Sequence, residues 1–295
     1  MALTINTNMS SLIAQANLSS ATNALNTSIE RMTTGYKINH AKDNAAGYSI
    51  ATNWKIQLSS LDVAADNTAT GIDMLTTAED TYGLILDHIQ RIRDLTEQAA
   101  NGTFGADSLA AIQKEMEARF NEIERITNNS EFNGIKLADG TAGAITFQVG
   151  INNDANSQIT LAAGLFIDTN LDALKTAGSF SGSTATALSQ ECSGYTNATT
   201  IDHTKAIASL AKLDTVIDKI TASVTDIGAA QNRLESASEA IAVQSENITS
   251  SLSTIKDADV AEESSNYIKA QILQQAAATL LSTANQTPSI ALSLI

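Results

Sequence analysis

From Leu213 onward every seventh residue is leucine or isoleucine: Leu213, Ile220, Ile227, Leu234, Ile241, Ile248 and Ile255. A companion row runs beside it through Leu210, Ile217, Val224, Gln231, Ser238, Ser245 and Leu252. An apolar three-four step held this long predicts a single helix of roughly 50 residues carrying a coiled-coil seam. No glycine follows Gly228 to interrupt it. The polar members Gln231, Ser238 and Ser245 let a second helix approach closely, or mark register.

The same step appears earlier. Ile72, Leu75, Tyr82, Leu86 (with Ile85) and Ile89 predict a long helix within residues 47–100, and Leu109, Ile112, Met116, Phe120, Ile123 and Ile126 a shorter one. Between them lies AANGTFGADS, whose glycines end one helix and whose Asp107 or Ser108 is expected to cap the next. The acidic side chains of KEMEARFNEIER fall mostly off the apolar stripe and read as a solvated face. In the middle the helical period disappears. ITFQVG (145–150) and SQITL (157–161) alternate like short strands joined by the turn-rich INNDAN segment, and Gly178–Thr200 reads as a Ser/Thr/Gly-rich loop. The fold class expected is mainly α, a long antiparallel helical hairpin or coiled-coil bundle with a small β-hairpin region in the middle.

Both ends are amphipathic yet uncharged. The first charged side chain is Glu30 and the last is Lys269. The leading segment places Ile5, Met9, Leu12 and Ala16, then Leu18, Ala21, Leu25, Ile29 and Met32 at helical spacing. The tail offers Ile268, Ile272, Leu280, Leu281 and Leu292. Helices without charge on their polar face suit burial on all sides. One such helix, or one pair, buries too little to offset the conformational entropy of ordering it. Both ends are therefore expected to be mobile in the free subunit and to order between subunits.

Composition narrows the chemistry. A single proline permits long unbroken helices, and aromatics at 4% argue against a deep aromatic-lined pocket. A net charge of −15 argues against a nucleic-acid partner. Cys192 stands alone, so neither an internal disulfide nor a thiolate metal cluster is available. MALTINTNMSSLIAQ lacks the basic and apolar regions of a cleavable signal, and no run of about 18 apolar residues exists to insert in a membrane. The expectation is a chain that is cytoplasmic, or exported by a route that reads no cleavable signal.

TTGYKINHAKDNAAGYSIA (33–51) is the one stretch that resembles a chemical motif, and it fails as one. Gly35 and Gly47 lack phosphate-loop spacing, and Lys37 and Lys42 are not followed by Ser or Thr. His40, His88 and His203 are scattered, HExxH is absent, and no GxSxG sets up a nucleophile. No cofactor, metal or catalytic residue is expected. As a joint the stretch makes sense: Gly35 ends one helix, Asn39 or Asp43 caps a turn, and AAGYSIA starts the next helix.

The order and spacing of several pieces resemble bacterial flagellin. They are SSLIAQANL, ERMTTGYKINHAKDNAAGYSIA, QRIRDLTEQAANGT, FNEIERITNNSEFNGIKL, GAAQNRLES, DADVAEESSNYIKAQILQQAAATLLSTANQ and a final ALSLI. The resemblance leaves only about 171–200 unmatched. It implies that 1–45 and 256–295 form a filament inner core and that 46–170 and 201–255 form a helical outer-core domain. Residues 171–200 would be a short variable surface loop, giving a thin, smooth filament. The family's usual arginine after the last leucines is missing, since the chain ends Leu294-Ile295.

Further implications follow from the resemblance. The chain would leave the cell unfolded through flagellar type III export and assemble as a helical homopolymer for swimming motility. Its partners would be itself, an export chaperone, the filament cap and hook–filament junction proteins. In flagellins recognised by the vertebrate Toll-like flagellin receptor, the segment like QRIRDL is the main contact, which maps to Arg91 and Leu95 with Glu115 from the next helix. Helical geometry at 100° per residue puts Leu95 about 120° from the Ile89 seam, as an exposed leucine one turn from Arg91. The alternative in the same class is a junction protein, to which discrete oligomers would point. An enzyme built into the middle would need more His, Asp and Glu than that loop holds, and a coiled-coil signalling module would carry charged rows beside its seam and ordered ends, whereas these ends are uncharged.

Overall fold

The computed structural model describes residues 8–162, 165–167, 169 and 203–292, with main chain alone at 203–205, 208 and 287–292. Five long helices account for most of them: α1 Met9–Thr34, α2 Ala45–Ala99, α3 Ala106–Asn129, α4 His203–Lys256 and α5 Val260–Leu292. Two antiparallel hairpins lie between α3 and α4, formed by β1 Glu131–Phe132 with β2 Ile135–Lys136, and β3 Ile145–Gln148 with β4 Gln158–Leu161. The mainly helical class with a small β region in the middle is what the periodicities called for. The expected loop over 178–200 lies outside the described residues.

The chain divides into two compact units, residues 60–244 and residues 1–59 with 245–295. In the first, α2 and α4 run antiparallel: Arg93 Nε donates to Asp214 Oδ1 at 2.6 Å, and Gln231 Nε2 to Glu79 Oε2 at 3.0 Å. The heptad row Leu213, Ile220, Ile227, Leu234 and Ile241 is buried, as expected. Ile248 and Ile255, in the other unit, are half-buried.

The second buried row of α4 is not the companion row of the sequence. Ser209, Val216, Ser223 and Ala230 face the core, while Leu210, Ile217 and Val224 are half-buried. Three of the four, Ser209, Ser223 and Ala230, are small, and small side chains let two backbones come close where bulkier ones would hold them apart. Gln231 does reach the facing helix, through Glu79.

The core continues along α2 through Leu61, Leu75, Tyr82, Ile85, Ile89 and Ile92 and takes Met116 and Ile123 from α3. Neither Asp107 nor Ser108 caps α3. Gly105 occupies the N-cap without a side-chain bond, and Asp107 sits within the first turn, where a carboxylate still complements the helix dipole.

The hairpins pack on this helical body. In β4, Ile159 and Leu161 are buried and alternate with exposed Gln158 and Thr160. A Cβ added at Gly71 of α2 would lie 3.1 Å from both the Phe147 ring and Leu234 Cδ1, so the β3–β4 hairpin meets α2 almost backbone to ring. The β1–β2 hairpin turns at Asn133 (φ 49°) and Gly134 (φ 80°), the two positive φ values of a two-residue hairpin turn. The Asn-Gly pair is its only signal in the sequence, because two-residue strands are too short to show an alternation. Tyr82 Oη, fully buried, donates to Leu137 O at 2.9 Å and ties α2 to the segment just after β2.

Candidate assembly surface

The unit of residues 1–59 and 245–295 includes the joint at 35–44. Gly35 (φ 74°) closes α1, its N–H donating to Arg31 O. Tyr36 then forms a bridge with Asp257, Lys37 N donates to Lys256 O at 2.7 Å, and Lys256 Nζ lies 4.0 Å from the Tyr36 ring centroid. Asp43 Oδ2 accepts from the N–H groups of Asn39 and His40. Those N–H groups hold its carboxyl below the usual range, the His40 bond contributing most. Asn44 Oδ1 accepts from Gly47 N and starts α2, and Ile38 is the joint's buried side chain. The stretch is the structural joint the sequence suggested.

Beyond the joint, α1 and α5 pack antiparallel within the single chain, so the expectation that the ends order only between subunits does not hold for Met9–Thr34 and Val260–Leu292. Asn8 Nδ2 donates to Ala284 O, Ser11 Oγ to Asn285 Oδ1, Gln274 Nε2 to Thr22 Oγ1 and Arg31 Nη1 to Glu263 Oε1, at 2.7 to 3.1 Å. The buried rows repeat every seven residues and are small: Ala14, Ala21 and Ser28 on α1, Ala270 and Ala277 on α5, with Glu263 completing the second row. Asp259 caps α5 through the N–H groups of Ala261 and Glu262.

That seam reassigns the aliphatic side chains singled out at the ends. They do not face each other. Met9 (57% exposed), Leu12 (60%), Ile29 and Met32 on α1 point outward, as do Ile268, Ile272 (59%) and Leu280 on α5, with Ile13 and Leu273 beside them. Leu25 and Leu281 are half-buried. Ile5 and the side chain of Leu292 lie outside the described residues. Alanine heptads close the pair because residues that small bring two helices to short range. The large side chains of both helices are left on the surface, and clustered exposed aliphatics are the mark of an interaction face. A groove of about 600 Å³ runs between the helices over Ala21, Ser28, Arg31, Glu263 and Ala270. The Glu263 carboxylate is almost buried there, and Arg31 Nε is buried with no partner.

The residues mapped to receptor contact lie in the other unit. Arg91 Nη2 sits 2.9 Å from Glu115 Oε1, so these two do meet on the surface of α2 and α3. Leu95 does not join them. It is 1% exposed, in the core between α2 and its neighbours. The expected exposure counted only the Ile89 stripe, but α2 is covered by α3 on one side and α4 on another, which widens its apolar face beyond one seam. Beside the pair, Arg119 Nη1 approaches His88 Nδ1 at 3.3 Å, and Glu122 is held below its usual pKa by hydrogen bonding to Arg125.

Comparison with known proteins agrees at both ends. The family model described as the bacterial flagellin N-terminal helical region matches residues 5–143, and that of the C-terminal helical region matches 210–295. Polar flagellin F of Vibrio parahaemolyticus is 31% identical, the alignment covering all of both chains. A flagellar filament 33 kDa core protein of Treponema phagedenis is 33% identical over 99% of each. A solved Vibrio parahaemolyticus protein, thought to be flagellar hook-associated, superposes with a TM-score of 0.60 over 73% of this chain and 100% of its own. At 14% identity that likeness is one of fold alone. The chain belongs to the bacterial flagellins.

Proposed function

We propose that this flagellin is the structural subunit of an extracellular bacterial flagellar filament that serves swimming motility, and that it self-assembles by burying the outward faces of α1 and α5 against neighbouring copies. The observation that carries the reading is the division of labour in that helix pair. Alanines make the intramolecular seam, while Met9, Leu12, Ile29, Ile268, Ile272 and Leu280 stay uncovered. Association of such faces releases ordered water and is favoured by roughly 25 cal/mol for each Å² of apolar area removed. In this reading 1–45 and 256–295 form the inner core, 46–170 and 201–255 the outer core, and 171–200 the variable surface. The role is structural rather than catalytic.

The remaining partners follow from family membership: type III export in an unfolded state with a chaperone on the C-terminal segment, growth beneath a cap, and attachment through junction proteins. Recognition by the Toll-like flagellin receptor would rest on the Arg91–Glu115 pair without Leu95, whose burial removes it from that surface.

Electron microscopy of the purified chain with a salting-out agent, beside a truncation lacking residues 1–32, tests the mechanism. Long uniform filaments from the full chain alone are expected. Polymers from both proteins would overturn the role of the ends, and discrete oligomers alone would favour a junction protein.

A further inference from the structure

The chain contains two Asn-Gly steps, Asn101-Gly102 between α2 and α3 and Asn133-Gly134 in the β1–β2 turn. An asparagine followed by glycine can attack itself. The Gly nitrogen adds to the Asn side-chain carbon Cγ, the Cγ–Nδ2 bond breaks, and ammonia departs with the proton from the Gly nitrogen. A five-membered succinimide remains. Water then opens it at Cγ to give aspartate, or at the main-chain carbonyl to give isoaspartate. The only co-reactant is water. Both steps share the residue that matters most for rate, a following glycine without a side chain to block approach, so any difference between them comes from the fold.

The two environments differ in what they offer the transition state. Asn101 is exposed beyond the end of α2, its N–H donating to Gln98 O at 3.1 Å. Its Oδ1 accepts from Thr103 N at 3.2 Å and from Thr103 Oγ1 at 3.1 Å. When Gly102 N adds to Cγ, that oxygen becomes the oxyanion, and two donors already face it. Hydrogen bonds to an anion are stronger than those to a neutral carbonyl, so the pair favours the transition state over the ground state. The Thr103 N–H bond also closes a ring of atoms that contains the Gly102 nitrogen, which keeps nucleophile and electrophile on the same side of the turn. Gly102 has open space around it, as Gly134 does, so crowding at the glycine does not separate the two sites.

Asn133 has no such pair of donors among the described residues, and its main chain is held. It holds φ 49° in a two-residue turn, and the flanking pairs Phe132–Ile135 and Glu131–Lys136 depend on that conformation. Lys136 Nζ further ties the hairpin to Glu131 Oε2 at 2.9 Å and Asn128 O at 2.7 Å. Ring closure rotates the Asn main chain out of the turn and breaks those pairs.

We infer that Asn101-Gly102 is a self-converting site, at which the folded chain turns an amide into a carboxylate in place while Asn133-Gly134 is protected. The product carries a new negative charge just past the C-terminal end of α2, where the carbonyl ends of the helix already disfavour it. Conversion therefore loosens the α2–α3 turn, and the isoaspartate form lengthens the main chain there by one carbon. Each molecule would change once and irreversibly, recording its age.

The test follows the intact chain in mildly alkaline buffer made with heavy-oxygen water, with peptide mass spectrometry reading label at each position. In the folded protein Asn101 should gain label at least about fivefold faster than Asn133, and in denaturant the two should converge. Thr103→Val should slow Asn101 by about fivefold, the rate equivalent of one net hydrogen bond of about 1 kcal/mol, and leave Asn133 unchanged. Thr103→Ser, which keeps both donors, should restore the rate. Equal rates at the two sites in the folded chain would overturn the inference. So would a ratio that survives denaturation, or a Thr103→Val rate like that of the parent.

Discussion

Single residues in this chain matter where backbone and side chain come closest. At Gly150 an added Cβ would lie 2.7 Å from Ser157 Cβ and 3.0 Å from its Cα, in the loop of the β3–β4 hairpin. The obstacle includes main chain, which a rotamer change cannot relieve. Gly150→Ala should therefore destabilise the protein by about 1–3 kcal/mol, read as a lowered midpoint in urea. Asp43 acts through charge instead. Its folded pKa lies below the unfolded value, so the stability it contributes is complete above that unfolded value and is lost as pH falls through the depressed one. Asp43→Asn keeps an acceptor for His40 N but does not titrate. Its joint should lose less hydrogen-exchange protection between mildly and strongly acidic pH than the parent's does. At this scale the sequence announced Gly35 and the Asp43 turn but not the cap of α3, where Gly105 stands instead of Asp107 or Ser108. Asn44, which starts α2, carries no local signal that singles it out.

Among the elements, the heptad row of α4 was legible from its period alone, because a three-four repeat of aliphatic residues has few other uses. How deeply each member is buried was not. Ile220 is fully buried, whereas Ile248, two heptads past Leu234 and in the other compact unit, is only half-covered. Ile220→Ala should cost about 2–5 kcal/mol and Ile248→Ala clearly less, compared by thermal unfolding of the two variants. The pairing rows show a second limit. Ser209, Val216, Ser223 and Ala230 would score poorly in any search for hydrophobic stripes, yet they line the seam, because closeness of backbones matters there as much as apolar area.

For the whole molecule, the α1–α5 pair separates folding from association. Ala21 lies in the seam between the helices, so Ala21→Leu forces them apart, and both hydrogen-exchange protection of α1 and polymer yield should fall. Ile272 is exposed, so Ile272→Ser should leave the monomer's unfolding within about 0.5 kcal/mol of the parent while raising the concentration needed for filaments. Light scattering during polymerisation, beside urea melts of the unpolymerised protein, separates the two effects. A loss of monomer stability in Ile272→Ser equal to that in Ala21→Leu would show that both faces serve the fold.

The sequence by itself determined the helical class, the positions of the long helices and the β3–β4 strands, the joint at 35–44 and the family. These follow from periodicity, from glycine and cap chemistry, and from motif order, all of which are local or additive along the chain. The tertiary structure decided which faces beyond the main heptad rows point inward. Leu95 is buried because α2 has neighbours on more than one side, and Met9, Leu12, Ile272 and Leu280 are exposed because alanines make the α1–α5 seam. Periodicity locates an apolar stripe, but whether a partner helix covers it depends on how closely two backbones approach. That distance is set by the small residues a hydrophobic pattern does not count.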